Sequence, residues 1–168
     1  DRETSGLVLL ARDPAVHTAL MQAFEHRRID KEYLAICWGQ PEADQGAIDA
    51  PIGSARGSEV RIKMACTPDG QEAHTSWRVI ERLPGACLVA ANPKTGRQHQ
   101  IRVHLSSIGL PLVGDKLYNE DEGRFLRGAS GELTAEDLAA LQLPRHALHN
   151  HFLGFEHPVS GERVEIRS

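Results

Sequence analysis

The apolar and polar positions along the chain predict a mixture of strands and helices. Residues 7–11 form a short, continuous apolar run, which is typical of a buried strand. Asp13 followed by Pro14 predicts an N-cap and the first residue of a helix. The buried stripe expected for this helix recurs at four-residue spacing, at Val16, Leu20 and Phe24.

The strand predictions rest on alternation and on turn residues. Residues 31–38 alternate in character and stop at Gly39, with Tyr33, Ala35 and Cys37 sharing one face. Later segments of similar character are separated by short Pro- and Gly-containing turns, which predicts two hairpins. The strands of these hairpins are expected at 72–82 with 86–91, and at 147–155 with 163–166.

The remaining segments predict two more helices and two loops. A core stripe of Ile101, Leu105 and Ile108 precedes Gly109, which stands where a C-cap glycine belongs. Thr134 with Asp137 resembles a capping box and predicts a second, short helix. Residues 39–58 are expected to be loop with one extended piece at 48–52, and residues 119–131 are expected to be irregular.

Mixed elements with several hairpins predict an α+β fold around a largely antiparallel mixed sheet flanked by helices. The 168 residues, 40% of them hydrophobic, suffice for one globular domain with a real core. No apolar run approaches the roughly 20 residues needed to cross a bilayer. The sequence begins without Met and in the middle of a motif, so we expect that an upstream part of the protein is missing.

The net charge of −4 does not favour nucleic-acid binding, so such a role depends on how the charges are distributed. No Asp or Glu occurs between Glu81 and Asp115, and that window contains Lys94, Arg97 and Arg102. Acidic residues are concentrated at 120–137 instead. The distribution is compatible with a basic face and an acidic far side, and equally with an ordinary solvated surface.

The cysteines place limits on redox and metal chemistry. Cys37, Cys66 and Cys87 are odd in number and widely spaced, which argues against a disulfide framework or a CxxC metal site. We therefore expect reduced, buried thiols in a cytoplasmic protein.

Three segments carry an unusual density of polar residues in apolar surroundings. Residues 1–6 place a carboxylate next to hydroxyls and a glycine, which taken alone favours a turn that opens a strand. Tyr33 shares its face with small residues, so its ring has room to stack a base, although a buried tyrosine is more often core. Residues 95–105 put Arg97 near a helix start and Arg102 on the same face as Gln98, a pattern that favours a functional segment.

These segments, together with 113–118 and 148–150, resemble the RluA-type family of rRNA and tRNA pseudouridine synthases. The family motif His-Arg-Leu-Asp-x-x-Thr-Ser-Gly carries the catalytic aspartate, and residues 1–6 match it from the Asp onward. The other family motifs match in the same order, at residues 31–35, 95–105, 111–118 and 148–162. Five motifs in register over essentially the whole chain are specific, although Asn150 stands where a small residue is expected.

The resemblance implies that residues 1–168 are a pseudouridine synthase catalytic domain without its upstream strands or any RNA-binding domain. It implies isomerisation of specific uridines in rRNA or tRNA, in which the C1′–N1 bond breaks and the uracil rejoins through C5. This reaction is redox-neutral, so we expect no cofactor and no metal. RNA is the expected partner, and the protein is expected to be a monomer that does not bind membranes.

The resemblance also implies roles for individual residues. Asp1 is the catalytic carboxylate, acting either as a nucleophile or as a proton acceptor, and Arg102 pairs with it and favours its ionised form. Tyr33 lies against the extruded uracil and is the candidate for assisting proton loss at C5. The substrate-binding residues are an apolar wall, an amide and two phosphate-binding cations, namely Ile101, Gln100, Arg97 and Lys94.

Two other functions remain open from the sequence. A catalytically idle RNA-binding or chaperone module of the same fold is suggested by the missing upstream segment. A metallohydrolase is suggested by His149, His151 and His157, and it requires bound metal. Which RNA and which uridine are recognised is not decided by any motif.

Overall fold

The computed structural model describes all residues 1–168 and contains nine strands and four helices. In chain order these elements are β1 (Ser5–Gly6), α1 (Pro14–Glu25), β2 (Asp30–Trp38), β3 (Gln45–Asp49), β4 (Ile52–Ser54), β5 (Met64–Cys66), β6 (His74–Leu83), β7 (Ala86–Pro93), α2 (Gln100–Ser107), α3 (Gly123–Ser130), α4 (Ala135–Leu141), β8 (Leu148–Glu156) and β9 (Arg163–Arg167). None of the helices has the length and apolar character that a membrane-spanning helix needs.

Seven of the strands form one sheet in the order β1-β8-β2-β7-β6-β3, with β9 paired to β8. Only the β1–β8 pairing is parallel, and β4 and β5 form a separate two-stranded sheet. The α+β class and the largely antiparallel mixed sheet predicted from the sequence are therefore confirmed.

The main core lies between the sheet and α2. It is lined by the inward-facing residues of β2 and β7, among them Ala35, Cys37 and Val89, and is closed by Ile101 and Leu105 from the helix. A second cluster around Val103 and Leu117 lies under β4 and β5, and a third packs α1 against β8. Helix α2 contributes residues to both the first and the second cluster, so the helix that carries the candidate site is packed on two sides.

Most elements lie where the sequence pattern predicts them. Asp13 caps α1 by accepting hydrogen bonds from the backbone of Ala15 and Val16, at 2.8 and 3.2 Å. Thr134 and Asp137 form the predicted capping box of α4. Gly109 follows α2 with φ +78°, a conformation that glycine adopts without strain.

Three local predictions are wrong. Residues 7–11 form no strand, because after Leu7 they have no backbone hydrogen-bond partner, although Leu7, Leu9 and Ala11 pack inward. The prediction of burial also fails for Val8 and Leu10, which are 78% and 82% exposed. The segment 119–131 contains α3, which its polar composition concealed. The extended piece expected at 48–52 is divided between β3 and β4, and the pairing of β4 with β5 was not predicted at all.

The cysteines are free, and Cys37 and Cys87 are buried as expected. They face each other across β2 and β7. Cys66 is only half-buried, because it lies on the small β4–β5 sheet rather than in the main core.

Candidate active site

The carboxylate of Asp1 lies beside two residues around the start of α2. Its Oδ1 is 3.1 Å from Nε2 of His99, and its Oδ2 is 3.5 Å from Nη1 of Arg102. The Asp1 side chain is 16% exposed, whereas those of His99 and Arg102 are each 7% exposed. A mostly desolvated carboxylate thus lies against an imidazole nitrogen and a cation, while part of it still faces solvent.

The segment that carries Asp1 is attached to the neighbouring chain by side-chain contacts and a short strand. Thr4 Oγ1 lies 3.0 Å from Nε2 of His146, and Lys116 donates to Glu3 at 2.8 Å. Strand β1 pairs with the start of β8, where Gly6 faces Asn150. These contacts place Asp1 over α2.

Gly6 meets a requirement that no other residue meets there. Its φ is +101°, and a Cβ added at this position would overlap the backbone of Asn150. The amide of Asn150 donates to the carbonyl oxygen of Leu7 at 2.8 Å, and its own Oδ1 is buried without a hydrogen-bond partner. The asparagine that departs from the family pattern therefore helps to attach the segment next to Asp1.

Arg102 is oriented by a second carboxylate. Its Nε and Nη2 donate to Asp115 at 2.7 and 2.8 Å, and Nη1 is the nitrogen that faces Asp1. The guanidinium also lies 4.8 Å from the centre of the Tyr118 ring. Because two of its three nitrogens are engaged by Asp115, the third has a fixed direction toward Asp1.

Asp115 is completely buried, and its oxygens are satisfied inside the protein. Besides Arg102, the backbone N–H groups of Leu117 and Tyr118 donate to its Oδ1 at 2.9 and 3.2 Å. Burial alone would raise the pKa of this carboxyl, but the hydrogen bonds and charge of Arg102 outweigh it and hold the pKa below its usual value. The Arg102–Asp115 pair therefore remains charged in the interior.

His99 connects Asp1 to Tyr118. Its Nδ1 lies 2.7 Å from the Tyr118 hydroxyl, and the two rings meet edge to face at 5.6 Å between centroids. Burial and the nearby charge of Arg102 lower the pKa of His99 to about 4. Near pH 7 the imidazole is accordingly neutral.

Asp1, His99 and Arg102 border two clefts. One, of about 310 Å³, also contains Tyr33, Lys31 and residues of the loop before α2. The other, of about 360 Å³, lies toward α3 and is bordered by Ile62, Phe125 and Lys116. Of the two clefts, only the first is lined by both Tyr33 and Asp1.

The remaining predicted site residues differ in how much of their side chains they expose. Ile101 is buried in the main core and also borders the Tyr33 cleft. Gln100 is buried, and its amide is engaged by Thr95, by Thr75 and by the loop backbone. Arg97 borders the cleft and uses Nε to donate to the backbone oxygen of Glu72, and Lys94 is exposed beyond the cleft.

The sequence predicted no role for His99, Asp115 or Tyr118. All three lie inside the matched motifs, so their positions were visible, but their mutual contacts join residues up to 19 positions apart. The left-handed backbone of His99, with φ +57°, is a further sign of a constrained site and could not be foreseen from an ordinary histidine.

The histidines that suggested a metallohydrolase do not form a metal site. His149 is hydrogen-bonded to Ser5 and Ser168, and His151 to the backbone of Ser168. No group of three or more His, Cys, Asp or Glu side chains is arranged to hold a metal ion.

Comparisons with known proteins agree with the motifs. A family model described as RNA pseudouridylate synthase matches residues 1–107. A Zymomonas mobilis protein described as ribosomal large subunit pseudouridine synthase D is 41% identical over 99% of this chain and 49% of its own length. A Vibrio parahaemolyticus protein of the same description is 40% identical over 100% of this chain and 50% of its own length.

A solved structure, human RNA Pseudouridylate Synthase Domain Containing 1, is similar to the whole chain. It aligns with a TM-score of 0.79 and 28% identity, covering 100% of this chain and 65% of that protein chain. The present chain spans about half the length of the curated relatives it matches.

Proposed function

Because the chain belongs to the RNA pseudouridylate synthase family, as its RluA-type motifs predicted, we propose that the intact protein isomerises uridines in structured RNA to pseudouridine. The observation that carries this proposal is the Asp1 carboxylate, held between Arg102 and His99 at the edge of the cleft that contains Tyr33. The relatives described as acting on the large ribosomal subunit make ribosomal RNA the first substrate to test.

The reaction requires an ionised carboxylate that is oriented toward the nucleoside. The C1′–N1 bond of uridine breaks, a C1′–C5 bond forms, C5 loses its proton and N1 gains one, so that atoms and electrons balance within the nucleoside. Asp1 either attacks the nucleoside or removes a proton from the sugar, and both roles need a lone pair directed at the substrate. Arg102 stabilises the negative charge, and its bidentate pair with Asp115 keeps it from rotating away.

The uracil has to leave its stack before it reaches Asp1, at a cost of a few kcal/mol. Tyr33 supplies a flat wall in the cleft against which the extruded base can lie. Burial raises the pKa of Tyr33, so its ring is a neutral phenol at pH 7. We assign it the contact with the base and assistance of proton loss at C5, in which the hydroxyl oxygen accepts the C5 proton as it releases its own to solvent. We assign Ile101 and Gln100 the shaping of the pocket.

Phosphate contacts are assigned to Arg97 and Lys94. Arg97 keeps two guanidinium nitrogens free of carboxylates at the rim of the cleft, and Lys94, three residues earlier in the sequence, is exposed beyond the cleft. Contacts of this kind fix the position of an RNA without reading its sequence. They provide the local positive charge that the net charge of −4 does not reveal.

The proposal is tested with the intact protein and ribosomal RNA carrying tritium at C5 of uridine, since isomerisation releases that label to water. Asp1→Asn is expected to reduce tritium release by about 10³-fold or more while RNA affinity stays within about twofold. Unchanged tritium release in Asp1→Asn would remove Asp1 from the chemistry. RNA binding by the wild-type protein without any release from ribosomal or transfer RNA would favour an idle binding module.

A double variant, Arg97→Ala with Lys94→Ala, serves as the matched comparison in the same assay. It is expected to weaken RNA binding and to reduce the salt dependence of binding, while turnover at saturating RNA is kept. Wild-type affinity in the double variant would place the phosphate contacts elsewhere.

A further inference from the structure

A chain of polar contacts leads from the backbone of β5 to the carboxylate of Asp1. The backbone N–H of Met64 donates to the Tyr118 hydroxyl at 2.9 Å. That hydroxyl is 2.7 Å from Nδ1 of His99, and Nε2 of the same ring is 3.1 Å from Oδ1 of Asp1. The Met64 N–H, the Tyr118 hydroxyl and the His99 ring thus form a continuous row that ends at Asp1.

The chain has one consistent arrangement of protons. The Tyr118 oxygen accepts from Met64, so its single proton is available for Nδ1 of His99. A neutral ring that accepts at Nδ1 carries its proton on Nε2, where it meets the Asp1 oxygen. The opposite tautomer would place a bare nitrogen lone pair against a carboxylate and leave the tyrosine proton without a partner.

The charge states support this arrangement. Burial and Arg102 lower the pKa of His99 to about 4, and burial raises the pKa of Tyr118 to about 12. At neutral pH both His99 and Tyr118 are therefore uncharged. Their contacts orient the Asp1 carboxylate without adding charge next to it.

The backbone of His99 is adapted to this contact rather than to the helix. His99 is the N-cap residue of α2, yet its side chain makes no capping hydrogen bond, and its φ of +57° is unfavourable for a non-glycine residue. Capping would stabilise the helix, so the ring is directed to Asp1 at a local cost in conformational energy.

We propose that His99 is a positioning residue for Asp1, held by Tyr118 as the neutral Nε2–H tautomer. The ring donates to Oδ1 and fixes the plane of the carboxylate. Oδ2, whose nearest Arg102 nitrogen is 3.5 Å away, is the less constrained oxygen and the one presented to the substrate. This assignment rests on the proposed function of Asp1, whereas the tautomer itself does not.

The tautomer is read from the ¹⁵N chemical shifts of the imidazole nitrogens in the intact protein. Wild-type His99 is expected to be protonated at Nε2 only, and Tyr118→Phe is expected to produce a mixture of tautomers. His104 is the internal reference, because it is buried in the same helix and bonded to Thr75 and Ala50 instead. A wild-type ring protonated at Nδ1, or unchanged in Tyr118→Phe, would overturn the proposal without bearing on the isomerase activity.

The turnover number of RNA isomerisation distinguishes a role of His99 in positioning Asp1 from a general loss of structure. Tyr118→Phe and His99→Leu are expected to lower kcat by about 10- to 100-fold with RNA affinity unchanged, as removal of a supporting hydrogen bond does. His99→Gln, which offers an N–H at a similar position, is expected to recover at least part of the loss. Ser106→Ala is the matched control, because Ser106 bonds the backbone oxygen of Tyr118 and not its hydroxyl.

Equal losses in Ser106→Ala and Tyr118→Phe, or equal kcat in His99→Leu and wild type, would refute the positioning role. Absence of isomerisation in the wild-type protein would instead refute the proposed function. The two failures are distinguishable because only the second removes all turnover.

Discussion

The two halves of the candidate site are built very differently. The helix half comprises four residues whose side chains lie in or against the core, namely His99, Arg102, Asp115 and Tyr118. These side chains are hydrogen-bonded to one another, His99 to Tyr118 and Arg102 to Asp115. The arm, residues 1–6, is attached by a two-residue strand and by side-chain contacts of Glu3, Thr4 and Ser5. The groups that face the carboxylate are therefore buried among core residues, while the carboxylate itself lies on a segment held by strand pairing and side-chain contacts.

This difference indicates where the precision of the site comes from. A fixed donor pair selects one orientation of Asp1 whenever the arm is in place, so the arm does not have to be rigid along its whole length. Damage to the helix half should cost folding stability as well as activity. Damage to the arm should cost activity with a smaller loss of stability.

The largest expected effect comes from breaking the helix half with Asp115→Asn. The substitution leaves the Arg102 guanidinium buried without its carboxylate, and breaking a buried pair in this way costs about 3–5 kcal/mol of unfolding free energy. Urea denaturation of wild type and variant measures the loss. Asp69→Asn is the control, since Asp69 pairs with Arg56 at the surface and the expected loss there is below about 1 kcal/mol. Similar small losses in both variants would show that the Arg102–Asp115 pair does not anchor the site.

A smaller effect on stability is expected from loosening the arm with Gly6→Ala. The added Cβ would overlap the backbone of Asn150 at a φ of +101°, so β1 has to separate from β8. We expect a loss of about 1–3 kcal/mol, together with a clear fall in RNA isomerisation. Circular dichroism and urea denaturation measure the first, and tritium release from RNA measures the second.

Gly57→Ala is the control that separates the backbone strain of a positive φ from the steric overlap with Asn150. Gly57 also has a positive φ, of +79°, but a Cβ there would have no neighbour within 4 Å. It is expected to show the conformational penalty alone, about 1 kcal/mol or less, and wild-type isomerisation. Equal loss of activity in the two glycine variants would argue that the arm is not the sensitive part.

The helix half and the arm also differ in how far the sequence predicted them. The apolar stripe of Ile101 and Leu105 and the terminal Gly109 predicted α2 correctly, because these signals are local. The hydrogen bonds of Tyr118 to His99 and of Asp115 to Arg102 join separate parts of the chain, and no local pattern reports them. The family motifs pointed to Asp1, Tyr33 and Arg102 as site residues. They did not predict that Arg102 lies closer to Asp115, at 2.7 Å, than to Asp1, at 3.5 Å.

The wrong predictions for residues 7–11 and for α3 have different physical causes. Residues 7–11 have the composition of a buried strand, but after Leu7 they have no backbone partner, and a strand exists only where a neighbour accepts and donates hydrogen bonds. Helix α3 was missed for the opposite reason. Its ends and its charged contacts, such as Arg127 with Asp137, stabilise it without a buried apolar stripe.

At neutral pH the smallest expected effect concerns His146, whose ring contacts Thr4 of the arm. The ring is 3% exposed, lies 3.0 Å from Thr4 Oγ1, and has its pKa lowered to about 4 by burial and by the charge of Arg102. The unfolded chain takes up a proton below about pH 6.5 and the folded chain does not, so His146 makes stability fall as the pH drops from about 6.5 to 4. Above pH 6.5 the ring is neutral in both states and contributes no pH dependence.

His146→Gln keeps a hydrogen-bonding group near Thr4 and removes the titration. We expect its urea midpoint to fall less steeply than that of wild type between pH 6.5 and 4, with the two slopes equal above pH 7. His17→Gln, at an exposed position in α1, should follow the wild-type curve throughout. A His146→Gln curve parallel to wild type over the whole range would mean that the ring takes up its proton equally in the folded and unfolded chains, which contradicts the lowered pKa.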